Sequence, residues 1–171
     1  CLNRMGADFL ASVGTATAAR DMDVVRDALG EEQINYLGFS YGTQLGAVYA
    51  ARYPDRVRAM VLDGAVDPSL DPITESLNQM AGFQRAFDKY AADCAESPGC
   101  PLGTDPSQFV TRFQQLVNPL VARPAPTPDP RGLSYQDAMT GTVSALYSQR
   151  FWPYLTSGLL GLQRGTDPSD L

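Results

Sequence analysis

The short apolar run Ile34-Asn35-Tyr36-Leu37-Gly38-Phe39 passes straight into Ser40 and then into a Gly- and Ala-rich stretch. No other feature of the sequence constrains the fold as tightly. The run carries strand-type residues and is too short for a helix. Over 41–53, Leu45, Val48 and Tyr49 recur at helical spacing, and Pro54 stops the helix. Upstream, Ala18, Met22, Val25 and Leu29 form one apolar helical stripe, with Thr15 or Thr17 as its expected cap and Gly30 as its stop. Downstream, Val57 to Leu62 reads as a second strand, ended by Asp63-Gly64. Residues 15–64 are therefore helix, strand, helix, strand. Near-continuous apolar strands joined by crossover helices imply a parallel sheet, so this portion is α/β.

The texture changes after Pro68. Leu77, Met80, Phe83, Phe87 and Tyr90 share one face of a helix expected over 73–92. Asp105-Pro106 opens a second helix, Ser134 caps a third, and a fourth starts near Trp152-Pro153. Five prolines between 119 and 130 predict a stiff extended connector. No strand signal follows Leu62, so residues 68–171 form a helical unit after a first unit at 1–67. Before Gly14, the spacing of Leu2, Met5, Phe9 and Leu10 reads as a helix end.

Composition narrows the function. Thirteen basic against nineteen acidic residues give a net charge of −6, which argues against a nucleic-acid or anionic-membrane partner. No apolar run approaches the ~18 residues of a membrane-spanning helix. Histidine is absent, so these residues alone cannot build a Ser-His, Cys-His or His-metal site. No cofactor fingerprint is present, and with no His and no second Cys pair no zinc site is expected. Cys94 and Cys100 flank Ala-Glu-Ser-Pro-Gly, whose Pro-Gly turn can bring them together. A disulfide there implies an oxidising compartment, hence a secreted or envelope-associated protein; two reduced thiols in a surface loop are the alternative. Cys1 is then left over, to pair outside these residues or to carry a lipid. A first residue other than Met reads as a cut or processed chain.

Gly38-Phe39-Ser40-Tyr41-Gly42 matches G-x-S-x-G, and it follows a strand and opens a helix. That context is what a nucleophile elbow requires. The serine takes a strained turn that lifts its Oγ above the strand ends. Residues two before and two after it come close, which predicts that only glycine fits at Gly38 and Gly42. Gly46 and Ala50 would let the helix pack close to the sheet. The backbone N–H of Tyr41, at a helix N-terminus, can then stabilise an oxyanion.

Gly38 to Thr43, together with Ala19-Arg20-Asp21, Ala28-Leu29-Gly30, Tyr53-Pro54-Asp55-Arg56-Val57 and Val61-Leu62-Asp63-Gly64, resembles the secreted tripeptidyl-aminopeptidase type of α/β-hydrolase. Asp93-Cys94, Gly99-Cys100-Pro101-Leu102 and Phe151-Trp152-Pro153 are similar to that family's helical cap. The resemblance implies a partial α/β-hydrolase core with an all-helical cap. It implies a serine exopeptidase that releases short peptides from free N-termini, with Ser40 as nucleophile and Tyr41 as one oxyanion donor. The family's second oxyanion segment would lie before Cys1, and its acid and histidine after Leu171. Those parts of the same hydrolase would be the chain's partners, and the 171 residues alone would be inactive and poorly stable.

The remaining candidates carry less. Asp63 ends the second strand, where some α/β-hydrolases place their acid, but Asp before Gly is more often a turn former. Asp67 and Asp71, each beside a proline, read as turn residues. Glu75 opens a cap helix and could bind a substrate α-ammonium, or be a solvated helix start. Phe83, Phe87 and Tyr90 read as cap core, Trp152 as an anchor for the last helix, and Arg20 as an ion-pair partner of Asp21 or Asp23. An ester or lipid hydrolase of the same fold, or a degenerate non-catalytic relative, remain the competing functions.

Overall fold

A computed structural model describes all residues, 1–171. They form two compact units, Cys1–Asp71 and Pro72–Leu171.

The first unit starts with two short helices, α1 (Leu2–Met5) and α2 (Ala7–Ser12), separated by Gly6 at φ 77°. The single helix end expected there is thus broken, and neither piece buries a residue. Helix α3 (Thr15–Ala28) leads to strand β1 (Ile34–Phe39), helix α4 (Tyr41–Arg52) and strand β2 (Val57–Asp63). Gly14, not Thr15 or Thr17, is the N-cap of α3, and no side chain caps it. Both threonines already lie inside the helix, where their hydroxyls cannot reach the orphaned first-turn donors. Gly30 takes φ 72°, the left-handed stop that glycine permits.

The strands pair in parallel from Ile34↔Val57 to Phe39↔Asp63, with one irregularity between Ile34 and Asn35. The crossover helix α4 packs on both strands and on α3. Along β1, Ile34, Tyr36 and Gly38 are the more buried positions, and Asn35, Leu37 and Phe39 are exposed. The continuous apolar run predicts burial on both faces; within these residues only one face is covered. Leu37, Phe39 and Val61 are each 60% exposed as a result.

Asp23 ties the unit together. It accepts from Arg26 Nε at 2.8 Å, Arg56 Nη1 at 2.8 Å and the Tyr49 hydroxyl at 3.2 Å. Arg26 is buried, and its guanidinium also donates to the Glu31 carbonyl. Arg20, expected to pair with Asp21 or Asp23, is exposed, and Arg26 takes that place because it lies one helical turn beyond Asp23. The Arg26 hydrogen bond, aided by both guanidinium charges, holds the Asp23 carboxyl below its ordinary value of 3.8. A lowered value in the folded state means stability that is present above 3.8 and lost as pH falls through the folded value. Asp23→Asn is therefore expected to lower the thermal midpoint at neutral pH. The gap between variant and parent should close progressively below pH 3.8, which paired melts across pH would measure.

The second unit holds helices α5 (Pro72–Ala95), α6 (Phe109–Val117), α7 (Tyr135–Leu146) and α8 (Trp152–Arg164). Its core gathers Phe87, Tyr90, Phe113, Val117, Trp152, Leu155 and Leu159, with Phe83 half-buried against Tyr147. The apolar stripe of α5 is buried only in its C-terminal half; Leu77 and Met80 are exposed. Ser134 and Asp137 form a reciprocal capping box at the start of α7. Cys94 and Cys100 are joined by a disulfide, and Cys1 is an exposed free thiol. Trp152 is buried against Tyr90, with its indole N–H unpartnered.

The proline-rich segment differs from the stiff connector expected. Asn118–Val121 is a 3-10 turn, Ala125 pairs antiparallel with Leu133, and the chain reverses through Asp129–Gly132. Pro119 suits the first turn of a helix, and Gly132 at φ 69° permits the reversal. No helix is long and apolar enough to cross a membrane.

Candidate active site

Ser40 is the one non-glycine residue with positive φ, at φ 51° and ψ −121°. Such a conformation costs about 1–3 kcal/mol and persists only where its surroundings hold it. Ser40 occupies the N-cap of α4, yet its side chain makes no capping hydrogen bond. Serine at this position normally spends its oxygen on the helix donors. Here the exposed Oγ is left free, and no side chain caps the first-turn N–H groups that begin with Tyr41. A free hydroxyl beside orphaned donors at the positive end of a helix is the arrangement that attack and oxyanion stabilisation need.

The close approach behind the turn is carried mainly by Gly38. A Cβ there would stand 2.6 Å from the Gly42 carbonyl oxygen and 2.7 Å from Tyr36 Cε1. Gly42 differs from expectation, because its own Cβ would meet only the Tyr36 hydroxyl, at 3.6 Å. The crowding is one-sided: the backbone of Gly42, not its missing side chain, fills the gap. Gly46 behaves as expected, since a Cβ there would stand 2.5 Å from the Tyr36 ring.

Tyr36 is the residue that sequence reading passed over. Its ring lies against both Gly38 and Gly46, and its hydroxyl donates to the Gly42 carbonyl at 2.6 Å. Burial pushes its phenol above the ordinary value, so it stays a donor. The signal was available: Tyr36 and Gly38 share a strand face, and a large residue beside two glycines marks where a helix closes down. Thr43 was also passed over as a site residue. It is 1% exposed, and its hydroxyl donates to the Ser40 carbonyl at 2.7 Å.

The first unit thus brings Gly38, Ser40, Tyr41 and Gly42 together. Tyr41 itself is anchored by a 2.8 Å hydrogen bond between its hydroxyl and Thr15 Oγ1. Asp63 meets Ser40 through its backbone: its carbonyl accepts the Ser40 N–H at 3.0 Å, while the residue is exposed at the strand end. Asp67 accepts the Ser69 N–H and is the turn residue expected. Glu75 sits half-buried in the first turn of α5, and Cys94 and Cys100 belong to the second unit's core. No cluster of three or more Cys, Asp or Glu side chains is placed to hold a metal.

The chain matches the family model described as alpha/beta hydrolase fold over residues 4–167. It is 66% identical to "Carboxylesterase B" of Mycobacterium tuberculosis over all of its residues, covering 33% of that protein. It is 55% identical to "Serine protease Hip1" of the same organism over 93% of the chain and 32% of the relative. "Tripeptidyl aminopeptidase" of Streptomyces lividans is 53% identical over 49% of the chain and 16% of the relative. The chain spans about a third of the length of the first two relatives. With the strand, turn and helix around Ser40 in place, that match is decisive for the family: the chain belongs to the alpha/beta hydrolase fold.

Proposed function

We propose that these residues are the nucleophile-bearing part of a secreted or envelope-associated serine peptidase that releases short peptides, tripeptides among them, from free N-termini. One observation carries the reading: the strained, uncapped Ser40 at the junction of β1 and α4. Ser40 Oγ attacks the scissile carbonyl carbon and passes its proton to a histidine supplied from outside residues 1–171. The carbonyl electrons move to oxygen, where the Tyr41 N–H supports the negative charge. Collapse expels the amine, which takes the proton back, and leaves an acyl group on Ser40. Water then attacks the ester by the same route and frees the peptide. The carboxylate of Glu75 is a candidate to receive the substrate's α-ammonium. The disulfide supports an oxidising compartment.

A second reading, an esterase acting on short acyl esters, draws support from the relative named carboxylesterase. Both use the same elbow, so substrate choice separates them. The full-length protein is expected to cleave tripeptide amides with a free N-terminus at least ~100-fold better, in kcat/KM, than their N-acetylated forms, because acetylation removes the charge that a carboxylate at the site would pair with. Turnover of acyl esters with no cleavage of free tripeptide amides would replace the peptidase by the esterase.

A further inference from the structure

The Ser40 N–H is held by the end of β2, and the Ser40 carbonyl by Thr43 of α4. The Ser40 N–H donates to the Asp63 carbonyl at 3.0 Å. The Ser40 carbonyl accepts the Thr43 N–H at 2.8 Å and the Thr43 hydroxyl at 2.7 Å. With its O–H directed at the Ser40 carbonyl, the Thr43 oxygen accepts the Val66 N–H at 2.9 Å. Threonines in helices often bond back to a carbonyl one turn earlier, and that contact alone would be local. The Val66 bond is not local: it crosses 23 residues and makes Thr43 a relay between the β2 exit and the elbow. Thr43 is 1% exposed, so water has little access to replace either partner.

The carbonyl that Thr43 holds belongs to the same peptide as the Tyr41 N–H. That peptide is planar and trans, so the two groups point in opposite directions. Fixing the carbonyl fixes the aim of the donor. Each hydrogen bond in the chain Val66 N–H to Thr43 O–H to Ser40 carbonyl also polarises the next, which strengthens the N–H at the far end.

We propose that Thr43 is a positioning residue for the reaction at Ser40: its hydroxyl, held by the Val66 N–H, aims the Ser40–Tyr41 peptide and with it the oxyanion donor. This rests on Ser40 being the nucleophile. A donor that matters only in the transition state changes kcat and leaves substrate binding alone.

The test uses the full-length protein and a short-chain p-nitrophenyl ester, with Thr43→Val, Thr43→Ala, Thr43→Ser, Val66→Pro and Ser40→Ala compared with the parent. Thr43→Val keeps the shape and removes the relay. It is expected to lower kcat by roughly 10- to 100-fold, the scale of a misaimed catalytic group, with KM within about 3-fold. Thr43→Ser keeps the hydroxyl and should stay within about 3-fold of the parent in both parameters. Val66→Pro removes the relay's donor without altering Thr43 and should lower kcat in the same sense. Thermal melts identify any variant that fails to fold; if Thr43→Val is one, Thr43→Ala and Val66→Pro decide. A folded relay variant within 2-fold of the parent, a loss confined to KM, or a Thr43→Ser as impaired as Thr43→Val would overturn the proposal. A parent without turnover, or Ser40→Ala as active as the parent, would overturn it together with the functional reading, and those arms leave Thr43 untouched.

Discussion

Full-length protein carrying Ser40→Ala is expected to hydrolyse its substrate at least on the order of 10⁴-fold more slowly than the parent, the scale of losing a triad nucleophile. The fold should survive the change. The Ser40 side chain is exposed and caps nothing, so removing Oγ leaves no buried group unpaired. Alanine carries the same Cβ into the same positive φ and inherits the same strain. Ser40→Gly separates strain from chemistry, because glycine adopts φ 51° without that cost. It should be as inactive as the alanine variant and more stable than the parent, by up to about 1 kcal/mol. Rates measured beside denaturant midpoints check both statements. A Ser40→Ala enzyme with a tenth of parental activity would remove Ser40 from the chemistry.

Gly38→Ala should have the second-largest effect. Its Cβ would stand 2.6 Å from the Gly42 oxygen, 2.7 Å from the Gly42 carbonyl carbon and 2.7 Å from Tyr36 Cε1. None of the three can step aside cheaply. Two are backbone atoms of the elbow, and the third belongs to a ring already pressed against Gly46. Overpacking of this kind costs about 1–3 kcal/mol. Relief requires moving the turn itself, and a shift of about 1 Å at a catalytic group costs on the order of 100-fold in rate. Gly38→Ala is therefore expected to lose both stability and at least roughly 100-fold in activity. Gly42→Ala meets only the Tyr36 hydroxyl, at 3.6 Å, and should lose less than about 1 kcal/mol of stability. Equal denaturant midpoints for the two variants would contradict one-sided crowding at Gly38.

Much of this was legible in the residues. Ile34 to Phe39 is too short and too rich in strand formers to be anything but a strand, and Ser40 between glycines marks the turn into α4. Gly30 and Ser134 announced a stop and a start that depend on nothing farther than a few residues. What escaped depends on partners distant in sequence. Asp23 was visible as an ion-pair partner for Arg20, but one of the partners it takes, Arg56, lies 33 residues away. Thr43 looked like a helix residue until the Val66 N–H, 23 residues on, arrived at its oxygen. Tyr36 looked like an ordinary strand aromatic until the helix closed over it at Gly46. Periodicity likewise finds the apolar face of α5 without saying how far the core extends along it: Phe87 and Tyr90 are covered, and Leu77 and Met80 are not.

The most direct measurement is the site of covalent modification. Full-length protein treated with a fluorophosphonate and digested with trypsin should yield the peptide Asp27–Arg52, in which Ser40 is the only serine. One phosphonyl group per molecule is expected, on Ser40 of that peptide, and none after Ser40→Ala. An adduct on any other residue, or one that persists in the Ser40→Ala protein, would contradict it.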